Sequence, residues 1–398
     1  MPRLQNVYVI SIHRSAICKS NKGKFSRVRP DDILSELLAK SFNLSGLSDI
    51  LVNKNKNKNK NKNKNINIDD IIIGCAMPEA EQGLNIARIA SLLAGFPNSV
   101  PAMTLNRFCA SGLQSISIAA DKIATGNADL IIAGGVESMS AIPAAGNIPR
   151  PNPKLFKDDL SSIALGMGLT AENLVSKYKI SREDQDKFAF ASHQKALKAQ
   201  NNKRFDSQII DILGAKIDEG PRKDTSIKKL SDLKSAFSKS GSVTAGNSSQ
   251  VSDGAAVCIL ASEKFVKKHK LKPQARFCGY SISGVSPDIM GIAPVKAIND
   301  VLKKLKLKDK DLSWIELNEA FAAQAIAVCK DLGWRVNDAR LNPHGGAIAL
   351  GHPLGATGAI LASKLISGMR SHKKSGYGLV GLCVGGGMGI AGVFDVYK

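Results

Sequence analysis

The sequence around Cys109 is typical of a reactive cysteine. The stretch LNRFCASGLQSISIAADKI, residues 105–123, begins as an apolar strand end and continues after Cys109 as an amphipathic helix. A thiol at a helix N-terminus faces unpaired backbone N–H groups and the positive end of the helix dipole, and both favour the thiolate. The stretch therefore predicts an activated nucleophile, and the alternative is a buried cysteine that only packs.

Three later stretches supply what a nucleophilic cysteine needs. His352 lies in NPHGGAIALGHPLGATGA, residues 342–359, where a glycine-rich turn opens a helix. Cys383 lies between two apolar strands in GLVGLCVGGGMGIAGVFD, residues 378–395, and Asn318 begins the sequence NEAF. An imidazole can accept the proton of a thiol near neutral pH. A second cysteine can exchange a further proton, so the set predicts covalent acid–base catalysis.

These blocks, in this chain order, resemble the thiolases: the cysteine block, NEAF, GHP and C-x-G-G-G. Each motif alone is weak, whereas four in the right order are specific. The resemblance runs from about Val7 to Val396 and implies a duplicated α/β fold, two layered halves packed together (αβαβα) plus an inserted loop domain. It implies CoA-dependent thiolytic cleavage of 3-ketoacyl-CoA to acetyl-CoA and a shortened acyl-CoA. This reaction is reversible as a Claisen condensation and belongs to fatty acid β-oxidation.

The resemblance also implies a role for each residue. Cys109 carries the acyl group after His352 has taken its proton. Cys383 protonates the acetyl-CoA enolate, or deprotonates acetyl-CoA in the reverse direction. His352, with a water held by Asn318, serves the thioester oxygen, and the backbone N–H groups of Cys109 and Gly385 serve the acyl oxygen.

Coenzyme A is expected as a substrate, with no permanently bound cofactor and no metal. In thiolases a loop domain holds it, and here the segment 140–245, which starts Pro-rich at GNIPRPNPK, interrupts the α/β pattern. The expected coenzyme A contacts are Arg222 at the nucleotide end, Ser249 at the pantetheine chain, and Met167, Phe237, Met290 and Phe321.

Two series of alternating strands and helices organise the chain. The first predicts strands at 68–76, 100–105 and 128–135, and helices at 85–96 and after Cys109. The second predicts strands at 276–283, 313–317, 378–384 and 388–396, and helices at 294–305, 319–332 and after His352. The repetition indicates an internal duplication. Cys109 and His352 then lie at corresponding strand-to-helix turns and meet if the halves pack face to face.

The predicted domains follow from this division. They are 1–139, the N-terminal half; 140–245, the loop domain; 246–271, the end of the N-terminal half; and 272–398, the C-terminal half. Residues 53–65 read NKNKNKNKNKNKN, which has no apolar side chain and predicts a disordered surface loop between a helix at 30–42 and the next strand. Insertions at such surface connections cost little, since closure entropy grows slowly with length.

The net charge of +21 raises the question of nucleic acid, and six of those charges come from the lysines of 53–65. No aromatic-interleaved basic groove or nucleic-acid motif accompanies the charge, so a nucleic-acid partner is not expected. A basic surface instead favours capture of a ligand with several phosphates. The expected protein partners are further copies of the chain, in a homodimer or homotetramer, with a hydratase–dehydrogenase subunit as an additional candidate.

Compartment signals are weak. The chain has no apolar run of 18 residues, so no membrane span is expected, and its N-terminus reads as a strand and not as a signal peptide. Seven cysteines without framework spacing favour a reducing compartment. The C-terminus Val396-Tyr397-Lys398 is not a peroxisomal signal. The expected location is the cytoplasm in a bacterium, or the mitochondrion or cytosol in a eukaryote.

Several alternatives are weighed against this interpretation. In biosynthetic thiolases, which condense two acetyl-CoA, a histidine precedes the Met-Gly of the loop-domain helix; here Gly166 takes that place, which favours the degradative class. Chain-length preference stays open. A decarboxylating condensing enzyme lacks a second catalytic cysteine, so Cys383 argues against it. A non-catalytic lipid- or RNA-binding relative is expected to lose Cys109, His352 or Cys383, and all three are present.

Overall fold

The computed structural model describes residues 4–52, 67–157 and 162–398, so the Asn-Lys tract 53–65 lies outside the described residues. Its strands are β1 (Val7–Arg14), β2 (Cys18–Lys19), β3 (Asp70–Gly74), β4 (Ala102–Leu105), β5 (Leu130–Ser138), β6 (Ser252–Ser262), β7 (Ala275–Gly284), β8 (Leu312–Leu317), β9 (Gly376–Val384) and β10 (Met388–Val396). Its helices are α1 (Pro30–Leu44), α2 (Leu47–Val52), α3 (Ile86–Leu93), α4 (Ser111–Ala124), α5 (Met167–Tyr178), α6 (Arg182–Asn201), α7 (Ile227–Ser231), α8 (Glu263–His269), α9 (Ala293–Leu305), α10 (Ala322–Leu332), α11 (Ala347–Leu350) and α12 (Leu354–Ser371).

The strand order displays the duplication. It runs β4-β3-β5-β6-β1-β7-β10-β9-β8, so each half contributes a group of strands and the groups join where β1 pairs with β7. Within the N-terminal group β3 is parallel to β4 and β5, and within the C-terminal group β8 is parallel to β9. A parallel bridge between Leu341 and Ile315 of β8 takes the place that β4 takes beside β3. The predicted duplicated α/β fold is confirmed.

Helices α4 and α12 form the middle layer, in contact with strands of both groups, while α1 and α3 cover one outer face and α9 and α10 the other. The two central helices touch through glycines. A Cβ at Gly112 would lie 2.8 Å from the backbone N of Ala359, and a Cβ at Gly358 would lie 2.3 Å from the backbone N of Leu113. Larger side chains at either glycine would separate the helices that follow Cys109 and His352.

The segment between β5 and β6 carries α5, α6 and α7 against the C-terminal half. The N-terminus of α6 is capped, since the Ser181 hydroxyl accepts a hydrogen bond from the backbone N–H of Asp184 at 3.0 Å. The domain boundaries themselves stay a prediction. None of the helices in the described ranges is long and apolar enough to cross a membrane.

One sequence-based expectation about topology is wrong. His352 does not follow a strand, because the preceding residues form the short helix α11 and Leu341 contributes only a single bridge. The glycine-rich composition before His352 explains the difference: Gly345 and Gly351 adopt left-handed φ angles of +72° and +112°, which interrupt an extended strand. His352 therefore lies between two helices, although α12 still corresponds to α4.

Candidate active site

Cys109 lies in a single 3₁₀ turn, Phe108–Ala110, between β4 and α4. Ser111 fixes this turn, because its hydroxyl accepts from the backbone N–H of Arg107 at 2.8 Å and donates to the carbonyl of Phe108 at 2.7 Å. Phe108 takes a left-handed φ of +43°, which is strained for an aromatic residue. The turn holds the half-buried Cys109 thiol toward the glycine-rich turn after β9.

The backbone N–H groups at the turn before α4 favour the thiolate of Cys109, but burial opposes ionisation in the free protein. Burial is the main cause of a pKa of about 11 for Cys109, and the charge of Glu137 contributes to this rise. The backbone N–H groups of Gly385 and of Cys109 itself point at the sulfur and oppose this rise without overcoming it. At neutral pH the residue is a thiol, so its reaction requires a base.

Cys383 lies at the end of β9, buried and facing Cys109. Burial raises the pKa of its thiol above the usual range, and the charge of an ionised Cys109 raises it further, so the two sulfurs do not ionise together. The turn that follows needs glycine at Gly387, where φ is +82° and a Cβ would lie 2.3 Å from the carbonyl oxygen of Val285. This close approach holds the backbone of Gly385 beside Cys109.

His352 is buried, and burial lowers its pKa to about 4, so the ring is neutral at pH 7. Its Nδ1 lies 2.6 Å from the hydroxyl oxygen of Thr357, and that hydroxyl donates to the carbonyl of Pro353 at 2.9 Å. Because the Thr357 proton is used on Pro353, the ring must donate from Nδ1. Nε2 is therefore left with a free lone pair, as a base requires.

Asn318 faces that free nitrogen. Its Nδ2 lies 3.4 Å from Nε2 of His352, and its backbone N–H donates to the carbonyl of Gly381 on β9 at 2.9 Å. Its Oδ1 is buried and has no hydrogen-bond partner among the described residues. A buried acceptor without a partner is costly, so this atom fits a site that holds a water or a polar substrate group.

Four of the expected coenzyme A contacts surround Cys383 and Gly385. Met290 and Phe321 belong to the same buried apolar cluster as Cys383. Phe237 packs on Phe321 edge to face, with ring centroids 6.0 Å apart. The sulfur of Met167 would lie 3.5 Å from a Cβ at Gly385. Met167 and Phe237 of the loop-domain segment thus lie beside Gly385 and Phe321, next to Cys383.

The other two expected contacts, Ser249 and Arg222, lie outside this group of apolar side chains. Ser249 donates its backbone N–H to the carbonyl of Ala320 at 2.9 Å, which places it beside the NEAF segment. Arg222 lines a separate cavity of about 270 Å³, together with His193, Lys229, Gly246 and Gln250. The backbone carbonyl of Gln250 accepts from the backbone N–H of His352 at 3.0 Å, so this cavity lies directly behind the base.

Comparison with known proteins agrees with this geometry. The family models "Thiolase, N-terminal domain" and "Thiolase, C-terminal domain" match residues 7–264 and 271–396. The chain belongs to the thiolase family.

Individual thiolases and related enzymes match nearly the whole chain. It is 43% identical to the 3-ketoacyl-CoA thiolase of Bacillus subtilis (strain 168), over 99% of this chain and 100% of that protein. It is 44% identical to a probable acetyl-CoA acyltransferase of Staphylococcus aureus (strain NCTC 8325 / PS 47), over 83% of this chain and 88% of that protein. Two solved structures share 36% identity and a TM-score of 0.87: the Bacillus anthracis acetyl-CoA acetyltransferase, with full coverage of both chains, and the dimeric peroxisomal thiolase of Saccharomyces cerevisiae, covering 100% of this chain and 98% of that one.

Sequence reasoning missed the residues that hold the thiolase site in place. Thr357 sets the tautomer of His352. Glu319 of NEAF is buried and accepts from the side chains of Ser192 at 2.6 Å and Asn342 at 2.7 Å, tying α6 to the loop that leads to His352. The side-chain amide of Gln250 donates to three carbonyls, among them that of Gly220. In the sequence these residues stand out only because they are polar residues among apolar neighbours.

Proposed function

We propose that this chain is a degradative thiolase that cleaves 3-ketoacyl-CoA with coenzyme A. The observation that carries the proposal is the proximity of two thiols, Cys109 and Cys383, which lie close enough for the charge of one to shift the pKa of the other. The neutral, buried ring of His352 lies 3.4 Å from the side chain of Asn318, whose backbone N–H bonds to β9 two residues before Cys383. A nucleophile with a separate proton donor is what cleavage of a carbon–carbon bond next to a ketone needs.

In the first half-reaction His352 takes the proton of Cys109, and the sulfur attacks the ketone carbon of the substrate. The tetrahedral intermediate collapses, the bond between the α and β carbons breaks, and its electron pair remains on acetyl-CoA as an enolate. Cys383 donates its proton to that carbon. The shortened acyl group stays on Cys109 as a thioester, and acetyl-CoA leaves.

In the second half-reaction a coenzyme A thiol gives its proton to the Cys383 thiolate and attacks the acyl group. Cys109 leaves as a thiolate and recovers the proton that His352 holds. Both cysteines are thiols again at the end: Cys109 regains its own proton from His352, and Cys383 takes the proton of coenzyme A in place of the one that left in acetyl-CoA. The raised pKa of Cys383 suits this role, because a weak acid is a strong base once ionised.

Two sets of donors stabilise the negative charge of these steps. The N–H groups of Cys109 and Gly385 are proposed to bind the acyl oxygen, supported by their common direction toward the Cys109 sulfur. Asn318 and His352 are proposed to serve the thioester oxygen through a water. The buried and unpartnered Oδ1 of Asn318 supports that water.

The path for coenzyme A is proposed to run from Arg222 past Ser249 to the two cysteines. The cationic Arg222 and Lys229 would meet the phosphates at the outer cavity, and Phe237, Phe321, Met290 and Met167 would pack along the pantetheine chain. A net charge of +21 on the whole chain favours capture of this polyanionic substrate. Coenzyme A is here a substrate and not a resident cofactor.

The degradative direction is supported by Gly166, which takes the place of the histidine that precedes Met-Gly in the biosynthetic pattern. A second candidate, condensation of two acetyl-CoA, is favoured by the similarity to the Bacillus anthracis acetyl-CoA acetyltransferase.

We also propose a homodimer, because the related yeast thiolase is dimeric and β4 leaves one edge unpaired at the end of the described strand order. Met103 of β4 is exposed on this edge. Substitution Met103→Glu is expected to produce monomers in size-exclusion chromatography, whereas an unchanged elution volume contradicts this interface. A tetramer, a hydratase–dehydrogenase partner and the compartment stay predictions.

The test of the proposed function is the rate of CoA-dependent cleavage across 3-ketoacyl-CoA chain lengths. A degradative enzyme cleaves substrates beyond acetoacetyl-CoA at comparable or higher kcat/KM. Gly166→His restores the histidine of the biosynthetic pattern and is expected to lower kcat/KM for long chains relative to acetoacetyl-CoA, with Gly166→Ala as its control. Activity confined to acetoacetyl-CoA in the unmodified protein would establish the biosynthetic alternative.

A further inference from the structure

Glu137 is a buried carboxylate that the proposed reaction does not use. It lies near the end of β5, is 1% exposed, and has no cationic partner among the described ion pairs. Burial of a lone carboxylate costs several kcal/mol unless hydrogen bonds compensate it. The buried carboxylate of Glu137 is therefore costly for the stability of the fold, and the contacts of this side chain indicate why the chain retains it.

Four N–H donors fill the acceptor positions of Glu137. Oε2 accepts from the backbone N–H of Ala76 at 2.7 Å and from that of Gly355 at 2.7 Å. Oε1 accepts from the backbone N–H of Met77 at 3.2 Å, from the Gln82 side chain at 2.8 Å and from the Cys75 thiol at 3.8 Å. Each oxygen thus receives two N–H donors, which only a carboxylate can satisfy, since an amide would turn an NH₂ group toward two of them.

The contact with Gly355 joins the two halves of the chain. Gly355 lies in the first turn of α12, two residues after Pro353 and three after His352, where backbone N–H groups lack helical partners. A negative charge is favoured at this end of a helix. The backbone is held closely there, because a Cβ at Gly135 of β5 would lie 2.2 Å from the carbonyl oxygen of Gly355.

The same carboxylate also contacts the strand end on the nucleophile side. Ala76 and Met77 follow β3, which pairs in parallel with β4, and β4 leads into Cys109. The amide of Asn106, three residues before Cys109, donates to the carbonyl of Ala76 at 3.0 Å. Glu137 is thus the shared partner of the segment that carries the nucleophile and the helix that follows the base.

We propose that Glu137 is a positioning residue that fixes His352 relative to Cys109, by holding the first turn of α12 to the strand end beside the nucleophile. This inference rests on the proposed role of His352 as the base that activates Cys109. A displacement of about 1 Å between reacting groups costs about a hundredfold in rate. Loss of the carboxylate is therefore expected to slow acyl transfer to Cys109 much more than it weakens substrate binding.

The test uses Glu137→Gln and measures acetylation of Cys109 by acetyl-CoA in a rapid quench. The acylation rate is expected to fall about 10- to 100-fold, with KM for acetyl-CoA changed by less than about threefold. The matched control is Asp69→Asn. Asp69 accepts from the backbone N–H groups of Asp129 at 2.6 Å and Leu130 at 2.9 Å, at the opposite end of β5, roughly 23 Å from Glu137. This control is expected to acylate within about twofold of the parent protein.

A second measurement separates positioning from general disruption. Alkylation of Cys109 by iodoacetamide needs the thiolate but not His352. The negative charge of Glu137 raises the pKa of Cys109, so its removal is expected to leave alkylation as fast or faster while acylation slows. Disruption of the site would instead slow both reactions, or leave the loss equal to that of Asp69→Asn, and either result would overturn the proposal.

Two further outcomes keep the test decisive. If Glu137→Gln does not fold, Glu137→Asp keeps the charge with a shorter reach, and its acylation is expected to fall with alkylation retained. Acylation at the parent rate in either folded variant refutes a positioning role. If the parent protein itself does not acetylate Cys109, the proposed function fails, which is a distinct result from failure of the role of Glu137.

Discussion

Substitution of Thr357 is the most direct test of the tautomer of His352, on which the role of His352 as a base depends. Its hydroxyl accepts from Nδ1 of His352 at 2.6 Å and donates to the carbonyl of Pro353 at 2.9 Å. Thr357→Val keeps the shape of the side chain but removes both interactions. Nδ1–H then has no partner inside the protein, and the tautomer with the proton on Nε2, which cannot accept a proton from Cys109, gains population.

The size of this effect follows from the number of bonds lost. A neutral hydrogen bond contributes about 0.5–1.5 kcal/mol, and an unsatisfied buried donor costs about 1–3 kcal/mol. A value near 1.4 kcal/mol corresponds to about a tenfold change in rate. We therefore expect Thr357→Val to lower the acylation rate of Cys109 about tenfold or more, with KM for acetyl-CoA nearly unchanged.

The assay is a rapid quench of enzyme with acetyl-CoA followed by mass analysis of the acyl-enzyme, normalised to folded protein. Thr357→Ser retains the hydroxyl and is the control, expected within about threefold of the parent rate since it keeps the hydrogen bond. Equal rates for Thr357→Val and the parent protein would refute the tautomer argument. Equal losses for the valine and serine variants would assign the effect to packing.

The remaining predictions concern the cysteines and the inserted tract. Cys383→Ala is expected to form the acyl-enzyme from acetyl-CoA but to lose carbon–carbon cleavage and the exchange of acetyl methyl protons with deuterated water; loss of acylation with carbon–carbon chemistry retained would reverse the two roles. Because the pKa of Cys109 is raised to about 11, its alkylation in the free protein should rise about tenfold per pH unit from pH 7 to 10, and a plateau near pH 7 would contradict the burial argument. Replacement of residues 53–65 by a short Gly/Ser linker should leave Tm and thiolysis nearly unchanged, and a large loss of either would show that the tract has a structural or binding role.

Periodicity and motif order were sufficient to predict the family and the fold. The strand at 388–396 agrees with β10 at both ends, and the helix at 294–305 differs from α9 by one residue, because both have regular burial patterns with clear turn signals. The expectation of a strand before His352 was wrong. Leu341 forms only a single bridge, to Ile315, and this is a tertiary contact that no local pattern encodes.

The protonation states of the site could not be predicted from local sequence. The position of Cys109 at a helix start indicated that the thiolate is favoured, but the pKa of Cys109 also depends on burial, on the backbone of Gly385 and on the charge of Glu137, which come from distant parts of the chain. Burial away from water determines the pKa of Cys109, and the extent of this burial depends on how distant parts of the chain pack around the cysteine. For the same reason Thr357 and Glu137 gave no signal before the fold was known.

Covalent transfer of an acyl group to Cys109 is the central claim, and peptide mapping measures it directly. After incubation with acetyl-CoA, trypsin should release residues 108–122, which contain Cys109 and no other cysteine, and residues 375–398, which contain Cys383 and no other cysteine. The account predicts acetylation of the first peptide, its disappearance in Cys109→Ala, and release of the label by added coenzyme A. Acetylation of the second peptide instead of the first, or a label that coenzyme A does not remove, would contradict it.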